Sequence, residues 1–306
     1  MAAGNPQVIQ WIVDTRNLWP EAKKPAQLQD VAAEYLALLT PEEKTGVLKY
    51  FFVRDAKMSL ASQFLKHYVL SKTLGIPWSS TKITRGLNGK PIYVAADGSQ
   101  PVHFNVSHQN GIVALAAVAG YEGPGSAEIG VDVVCVNERE ARDHQMINAE
   151  GWVKFVDMHS DVFGASETED LRNTTSVRRS KGAIDAQLRR FYALWCLREA
   201  YVKMTGEALL ASWLHELEFQ DFRAPDPALA DVQAAGDPEN TIIRKHEVLF
   251  KGDKVDNANI CLRSLGADYM TCTAVRTPAD KGIALGWELG PFETIDIATI
   301  LKHATS

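Results

Sequence analysis

Three chemically distinct side chains recur at every fourth position of residues 195–203. Because residues four apart lie on one face of an α-helix, Trp195, Glu199 and Lys203 are predicted to form a single stripe. An adjoining face is apolar at helical spacing and is predicted to seat this helix in a core: Leu194, Leu197, Tyr201 and Met204. A carboxylate and an ammonium group one turn apart, beside a buried face, are suited to hold a divalent cation and to move a proton.

A lone carboxylate interrupts an apolar segment, 128–136, that is predicted to be a strand. The carboxylate of Asp132 is costly to bury unless it is paired or binds a cation. Val134 and Val136 are predicted to share its face, because alternate strand residues point the same way. Two interpretations stay open at this point: an aspartate that caps a turn or pairs with an arginine, and an aspartate that binds a cation.

A hydroxyl, an imidazole and a glycine-containing loop follow one another in the first half of the chain. The pattern predicts strands over 102–106 and 112–118, joined by a five-residue loop at 107–111. Ser107, His108 and the loop N–H groups could together hold a phosphate, and an ordinary hairpin with a polar tip is the alternative. A hydrolase nucleophile and base are not expected, since adjacent strand residues point to opposite faces and no G-x-S-x-G elbow is present.

Two pairs of basic residues lie close together in the first half of the chain. Arg54 and Lys57 lie one helical turn apart, and Arg85 and Lys90 flank the turn at 86–89. A solvated surface position is the default for any single basic residue. If several of them converged on one polyanion, they would form a phosphate site, because arginine binds phosphate oxygens in bidentate fashion.

Composition limits the class of protein. The chain has 306 residues, of which 46% are apolar and 23% charged, as is ordinary for a soluble globular protein. The formal net charge of −6 argues against general nucleic-acid binding. No apolar run approaches the roughly 20 residues of a membrane span, and no secretory signal is present. The four cysteines form no close pair, which favours free thiols in a reducing compartment. We therefore expect a cytoplasmic protein without nucleic-acid or membrane partners.

Helical and alternating patterns predict an α+β fold. Helices are predicted over 28–40, from Pro41 onward, over 54–74 and over 190–205, and further strands over 91–95, 128–136, 215–222, 242–250, 259–263, 269–276 and 283–288. The polar stretch 164–187 is expected to be mobile, and 223–240 to be an exposed insertion. Each half shows a long helix, a glycine stop and then short strands. The sequence thus predicts two similar halves, 1–136 and 137–306, each with a long helix packed on a small, mainly antiparallel sheet.

An ordered set of motifs resembles the 4′-phosphopantetheinyl transferases, specifically their larger, pseudo-dimeric class with its fungal and animal members. The motifs are Arg-Asp-Ala-Lys at 54–57, Gly-Lys-Pro at 89–91, Phe-Asn-Val-Ser-His at 104–108, Gly-Val-Asp at 130–132 and Trp-x-x-x-Glu-Ala-x-x-Lys at 195–203. Each motif alone is weak, but their occurrence in the family's order is specific. The resemblance is clear from about residue 50 to 205 and thin beyond.

The resemblance implies a reaction. Such enzymes transfer the phosphopantetheine arm of coenzyme A to a serine of a carrier protein and release 3′,5′-ADP. By matching position, Asp132, Glu199 and Lys203 would be catalytic, and Asp132 and Glu199 would bind Mg²⁺, or alternatively Mn²⁺. Glu199 is favoured as the base, with Lys203 as the rival. His108 and Arg54 would contact the 3′-phosphate. The remaining coenzyme A contacts would be Arg85, Gly86, Leu87, Asn88, Gly89, Lys90, Asn105, Val106 and Ser107.

Two positions depart from the pattern of many family members. Val134 stands where many bacterial members have a third acid, so a water is expected to complete the metal shell and metal preference is open. Animal-type members resemble this chain there. Arg198 stands where many members have lysine, and either residue can contact phosphate.

Residues 145–172 lie where family members present a surface to the carrier. An apolar patch is predicted from Trp152, Phe155, Met158 and Phe163, with inward packing as an equal alternative. Nearby cations are expected to steer an acidic carrier: Lys154, Arg172, Arg178 and Arg179. The sequence does not decide among fatty-acid, polyketide, nonribosomal-peptide and aminoadipate-reductase carriers. A monomer is expected, because both halves lie in one chain.

Two other functions compete with group transfer. A Mg²⁺-dependent hydrolase of diphosphate-containing nucleotides would use the same pair of carboxylates with water as acceptor. A binding module for carrier domains or nucleotides would need neither Glu199 nor Lys203 for its function. Group transfer is preferred, because it accounts for the whole set of motifs.

Overall fold

A computed structural model describes residues 6–174, 180–207, 211–227 and 240–306. The helices are α1 Leu28–Val31, α2 Ala33–Ala37, α3 Pro41–Leu48, α4 Val53–Leu74, α5 Glu140–Glu150, α6 Trp152–Asp157, α7 Ala165–Asn173, α8 Lys181–Thr205 and α9 Ile297–Thr305. The strands are β1 Gln7–Asp14, β2 Ile83–Arg85, β3 Pro91–Tyr93, β4 Val102–Gln109, β5 Ile112–Ala119, β6 Glu128–Cys135, β7 Leu217–Gln220, β8 Ile242–Ile243, β9 Glu247–Phe250, β10 Asp253–Lys254, β11 Asn259–Leu265, β12 Tyr269–Arg276 and β13 Glu293–Thr294.

One long helix packs on a small sheet in the N-terminal half. The sheet has the strand order β13-β1-β5-β4, and all its pairs except β13 with β1 are antiparallel. Alternate residues of β5, such as Leu115 and Ala117, join the core beneath α4. The helix ends at Gly75, whose φ of 63° is the left-handed conformation that glycine adopts readily. The helix predicted over 54–74 is thereby confirmed.

The C-terminal half repeats this arrangement. Helix α8 packs on a sheet of order β6-β12-β11-β8, whose pairs are all antiparallel, and it ends at Gly206 with a φ of 80°. A smaller sheet of order β10-β9-β7 lies beside it. The predicted α+β class, with long helices on small antiparallel sheets, is confirmed.

The two sheets meet face to face and edge to edge. The faces of β5 and β6 turned away from the long helices share a third core, which includes Ala116 and Val131. The edge strands β4 and β6 lie side by side, and side-chain amides bridge them. Asn105 Oδ1 accepts a hydrogen bond from the Val131 N–H at 3.0 Å, and Gln109 Oε1 accepts one from the Cys135 N–H at 3.0 Å. The two side chains thus give hydrogen-bond partners to backbone N–H groups of β6 that would otherwise pair with a neighbouring strand.

Strand pairing crosses the predicted division at residue 136 in both directions. Strand β6 pairs with β12 of the C-terminal half, whereas β13 pairs with β1 and α9 packs on α4 in the N-terminal half. Strand β1 and helix α9 were not predicted from the sequence. The boundary between 136 and 137 stays a prediction.

Several predicted elements were wrong. Strands β4 and β5 are joined by a two-residue turn, Asn110-Gly111, in which both φ angles are positive, so Ser107 and His108 lie within the strand and not in a loop. Residues 284–286 form a 3₁₀ turn in place of the strand predicted over 283–288. The segment predicted to be mobile, 164–187, contains α7 and the start of α8 in its described part.

Other predictions need smaller corrections or were confirmed. The helix predicted over 28–40 breaks at Ala32, and the strand predicted over 242–250 is two strands in different sheets. Pro41 does begin a helix, and the side chains of Thr40 and Glu43 form its capping box. All four cysteines are buried free thiols. Most of the predicted insertion, 228–239, lies outside the described residues. No helix within the described ranges is long and apolar enough to span a membrane.

Candidate active site

The predicted stripe of α8 lines a cavity of about 600 Å³ at the junction of the two halves, here named the seam cavity. Trp195, Glu199 and Lys203 contribute from α8, Ser107 and His108 from β4, and Asp132 from β6. Residues from both sheets and from the second long helix therefore share one space. Such a cavity between halves, with a few convergent polar groups, is a typical ligand site.

Asp132 is the centre of a hydrogen-bond network in this cavity. Lys203 Nζ donates to Asp132 Oδ1 at 2.6 Å, and Ser107 Oγ donates to the same oxygen at 2.8 Å. Lys203 Nζ also lies 3.0 Å from Ser107 Oγ and 3.9 Å from Glu199 Oε2. The carboxylate of Asp132 is thus paired with a cation, and Ser107 donates to Asp132, not to His108.

A glycine lets α8 approach β6 closely enough to make this network. A Cβ at Gly130 would overlap the Ala200 carbonyl oxygen and the Met204 backbone nitrogen. Gly130 and Asp132 lie on the same face of β6, which is turned toward α8. The direct contact of strand and helix at Gly130 therefore sets how far Lys203 is from Asp132.

Lys90 fastens the end of α8 to β6. Its Nζ donates to the Ile129 carbonyl at 2.9 Å and to the Lys203 carbonyl at 3.1 Å. Burial lowers the pKa of Lys90 to about 8, although Glu128 attracts the charged form. A cation at a helix C-terminus satisfies carbonyls that have no partner within the helix. Sequence reasoning missed this structural contact, because it joins residues 39 and 113 positions apart in the chain.

The ionisable groups of the seam cavity perturb one another. Burial raises the pKa of Glu199, and so does Asp132, while Lys203 opposes them. Burial disfavours the charged form of Lys203, but Asp132 and Glu199 outweigh it and raise the pKa of the ammonium group. The ring of His108 is exposed at the mouth, yet partial desolvation and then the charge of Lys203 lower its pKa. Lys203 is thus held charged, and Glu199 has a raised affinity for a proton.

Most of the predicted coenzyme A contacts are spread over four cavities. Arg54 lines the seam cavity, where it is largely exposed and lies 3.7 Å from Glu138. Asn88, Gly89 and Lys90 share an adjoining cavity of about 390 Å³ with Asn105, Glu199 and Lys203, and Gly86 lines a third cavity of about 240 Å³ beside them. Arg85 instead faces a cavity between α3 and α4. Val106 packs against the N-terminal core, and the side chain of Leu87 lies outside the described part. The role of each residue in binding stays a prediction.

Arg198 does not face phosphate, contrary to the expectation from sequence. It is 1% exposed and is not among the residues that line the seam cavity. Its Nη1 donates to Glu167 Oε2 at 2.6 Å, and its guanidinium also donates to the carbonyls of Leu217 and Leu214. Arg198 therefore holds α7 and the 214–217 segment against α8.

The apolar patch predicted for a carrier is mostly buried. Trp152, Phe155 and Phe163 pack into the C-terminal core, whereas Met158 is 53% exposed. Inward packing, the alternative interpretation, is correct for the three aromatic residues. Arg172 pairs with Asp157 at 2.7 Å, and Arg178 and Arg179 lie outside the described residues.

The residues of the seam cavity suit a divalent cation. The carboxylates of Asp132 and Glu199 already share one positive neighbour, the ammonium of Lys203. Two carboxylates that face one space, without a full protein cage, are the donor set that Mg²⁺ takes together with phosphate oxygens and water.

A second group with metal-ligand chemistry lies elsewhere. Glu140, His144 and Asp185 form the one group of three such residues found within the described ranges. Glu140 is already neutralised by Lys181 at 2.7 Å, and His144 lies 2.7 Å from Asp185. With these contacts, the three residues form an ion-pair network at the surface.

Comparison with known proteins places the chain in a family. A family model described as 4′-phosphopantetheinyl transferase, N-terminal, matches residues 25–120, and one described as 4′-phosphopantetheinyl transferase superfamily matches residues 128–255. A 4′-phosphopantetheinyl transferase 1 of Fusarium mangiferae is 45% identical over 300 residues, which cover 98% of this chain and 96% of that protein. A 4′-phosphopantetheinyl transferase of Aureobasidium melanogenum is 37% identical and covers 87% of this chain and 90% of its own length.

A more distant relative is animal. The human L-aminoadipate-semialdehyde dehydrogenase-phosphopantetheinyl transferase is 28% identical over 185 residues, which cover 59% of this chain and 52% of that protein. The two family models define the class: a transferase in which the N-terminal region matches one model and the following region matches the superfamily model. The near-complete match to the fungal proteins shows that the chain belongs to the 4′-phosphopantetheinyl transferase family. The family and the enzyme class predicted from the sequence are confirmed.

Proposed function

We propose that this enzyme transfers the 4′-phosphopantetheine arm of coenzyme A to a serine of acyl or peptidyl carrier domains. The reaction depends on Mg²⁺, releases 3′,5′-ADP, and is carried out by the monomer. The names of the fungal and animal relatives support the transfer of phosphopantetheine. The observation that carries the proposal is the convergence of Asp132, Glu199 and Lys203 in one cavity between the halves.

Asp132 and Glu199 are proposed to hold the cation. When bound, Mg²⁺ neutralises charge on the diphosphate of coenzyme A. Lys203, which is held charged between two carboxylates, is positioned to release Asp132 and to bind a phosphate oxygen in the complex. Arg54 and His108 line the outer wall of the same cavity and are proposed to contact the 3′-phosphate.

Glu199 is proposed as the general base. Its carboxylate faces the seam cavity 3.9 Å from Lys203 Nζ, and the charged Lys203 has no free electron pair to offer. Glu199 takes the proton of the carrier serine as the serine oxygen bonds to the phosphorus that carries pantetheine. The bond from that phosphorus to the oxygen of 3′,5′-ADP breaks, and 3′,5′-ADP leaves with the electron pair.

Incubation with coenzyme A, Mg²⁺ and an apo carrier domain tests the proposal. Mass spectrometry should show that the carrier gains one phosphopantetheine and that 3′,5′-ADP forms in equal amount. A Glu199→Gln variant, with unchanged circular dichroism, should lose most of this rate.

A parallel reaction without carrier separates transfer from hydrolysis. Release of 3′,5′-ADP at the same rate without any carrier would support a Mg²⁺-dependent hydrolase and overturn the proposal. Binding of coenzyme A with neither product formed would support a binding module.

A further inference from the structure

Two adjacent aromatic side chains are exposed to solvent where α3 connects to α4, and we name them the aromatic pair. Phe51 is 86% exposed and Phe52 is 55% exposed, the two highest values for a large hydrophobic side chain within the described ranges. Their rings meet edge to face with centroids 4.8 Å apart. Single exposed apolar residues are common on soluble proteins, but a contiguous aromatic patch marks a surface that a partner covers.

The backbone on both sides of the aromatic pair is anchored. Helix α3 ends at Leu48 and α4 begins at Val53, so the connection is short. Tyr50 and Val53 pack against the N-terminal core, one before the pair and one after it. Phe52 is the extended residue that precedes α4, with φ −99° and ψ 137°. The two rings are therefore held outward by the packing of their neighbours in the chain.

The aromatic pair borders the seam cavity. Arg54 lines that cavity, and its guanidinium carbon lies 5.7 Å from the centre of the Phe52 ring. A protein–protein interface of ordinary size covers about 800 Å² of each partner, which is a disc of roughly 16 Å radius. A protein that docks over the mouth of the cavity at Arg54 therefore covers the aromatic pair as well.

The charges beside the aromatic pair favour an acidic partner. Lys49 is exposed and has no ion-pair partner among the described residues. Arg54, on the other flank, lies 3.6 Å from Asp55 and 3.7 Å from Glu138, which partly neutralise it. The chain as a whole has a net charge of −6. An acidic protein is repelled by most of this surface, so an unpaired cation beside an apolar patch favours docking at that patch.

We propose that Phe51 and Phe52 form part of the docking surface for the carrier domain, with acidic residues of the carrier beside Lys49. This inference rests on the proposed function for the identity of the partner. It assigns the apolar contact to a surface of the N-terminal half, since three of the four residues predicted for it from sequence are buried in the C-terminal core. The aromatic pair takes no part in the bond-making step.

A binding measurement tests the inference without any turnover. The probe is a fluorescently labelled acyl carrier domain whose acceptor serine is changed to alanine, and fluorescence anisotropy gives its Kd. Phe51→Ser is the informative variant, because its ring is the more exposed and does not contact Arg54. Aromatic residues at the centre of an interface often dominate its affinity, so Phe51→Ser should weaken carrier binding about tenfold.

Leu285→Ser is the matched control. Leu285 is 47% exposed and lies beside the start of β6, whereas Arg54 lies near Glu138, beyond the other end of that strand. This variant also replaces an exposed apolar side chain with serine, and it should bind the carrier like the wild type.

Steady-state kinetics and ionic strength give two further readouts. With a carrier that keeps its serine, Phe51→Ser should raise KM for the carrier about tenfold and leave KM for coenzyme A and kcat unchanged. Lys49→Glu should slow association with the carrier and reduce the dependence of the association rate on salt, because a steering charge is lost.

Three results would overturn the inference. One is equal carrier affinity of Phe51→Ser and the wild type. The second is a raised KM for coenzyme A in Phe51→Ser, which would place the adenine ring on the aromatic pair. The third is a wild-type dimer in sedimentation velocity that Phe51→Ser dissociates, which would make a second copy of the chain the occupant.

The same experiments separate this inference from the proposed function. If the wild type binds the carrier with the expected pattern but does not modify it, the inference stands and the proposed function fails. If the wild type modifies the carrier and Phe51→Ser does so with the same KM, the proposed function stands and the inference fails.

Discussion

Asp132 is a buried carboxylate whose charge is neutralised by the ammonium group of Lys203. The apolar strand around it predicts that the charge must be paired or must bind a cation, and the structure pairs it with Lys203 at 2.6 Å. The motif spacing predicts that Glu199 and Lys203 share a face. The contact between Ser107 and Asp132 was not predicted, because the first strand was predicted to end at Val106, three residues before its actual end at Gln109.

Asp132→Asn keeps the size of the side chain but removes the charge that is proposed to hold the cation. We expect the turnover rate to fall by at least about a hundredfold, because both the cation and the position of Lys203 depend on that charge. Steady-state kinetics over a range of Mg²⁺ concentrations measure this. Glu140→Gln, outside the seam cavity, is the matched control and should keep the wild-type dependence on Mg²⁺. A fully active Asp132→Asn variant would remove Asp132 from the site.

Arg198 and Glu167 form a buried ion pair that serves packing. Arg198→Met alone leaves the Glu167 carboxylate buried and unpaired, and we expect it to lower the free energy of unfolding by about 3–5 kcal/mol. The double variant Arg198→Met, Glu167→Met should recover only part of that loss, because the Leu214 and Leu217 carbonyls and the Gly164 and Phe219 N–H groups also lose their partners. Urea denaturation of the four proteins of this cycle measures the coupling. If Arg198→Met were as stable as the wild type but bound coenzyme A poorly, that result would contradict the packing role and support a contact between Arg198 and phosphate.

The contact of α8 with β6 is the element-scale feature that assembles the site. The sequence predicts both elements, since α8 has a long apolar face and a glycine stop and β6 is apolar from Ile129 onward apart from Asp132. It does not predict their separation, which depends on the missing side chain at Gly130. The elements with strong local signals were predicted, whereas β1 and α9, whose partners lie far away in the chain, were not.

Gly130→Ala should displace α8 from β6, because its Cβ would meet helix backbone that has no freedom to rotate away. We expect the free energy of unfolding to fall by about 1–3 kcal/mol. We also expect the turnover rate to fall by a larger factor than the fraction of folded protein. Thermal denaturation and activity, measured at a temperature where the variant is folded, separate these effects. Gly182→Ala, at a helix position with open space, is the control and should lower neither quantity. Normal turnover in Gly130→Ala would show that the close approach is not needed.

At the scale of the whole molecule, the C-terminus completes the N-terminal half. Strand β13 extends the first sheet, and α9 covers α4, where Ser71 Oγ lies 2.9 Å from His303 Nε2. Ile300 of α9 is fully buried in the N-terminal core. The two halves therefore depend on each other through the returning chain as well as through the shared core between the sheets. No local pattern in 1–136 indicates this dependence, since the partner residues follow more than 150 positions later.

Ile300→Ala tests this dependence. Removal of a fully buried isoleucine side chain leaves a cavity and should lower the free energy of unfolding by about 2–5 kcal/mol. Equilibrium urea unfolding, followed by the fluorescence of the tryptophans, measures it. The exposed neighbour Thr299→Ala is the control and should stay within about 0.5 kcal/mol of the wild type. A stability of Ile300→Ala equal to that of the control would mean that α9 contributes little to the N-terminal core.

Anomalous diffraction from crystals grown with coenzyme A and Mn²⁺ tests most directly whether Asp132 and Glu199 share one cation. The account predicts a single strong manganese peak in the seam cavity, within coordination distance of both carboxylates and of the coenzyme A diphosphate. A peak at Glu140, His144 and Asp185, or one that touches neither Asp132 nor Glu199, would contradict it.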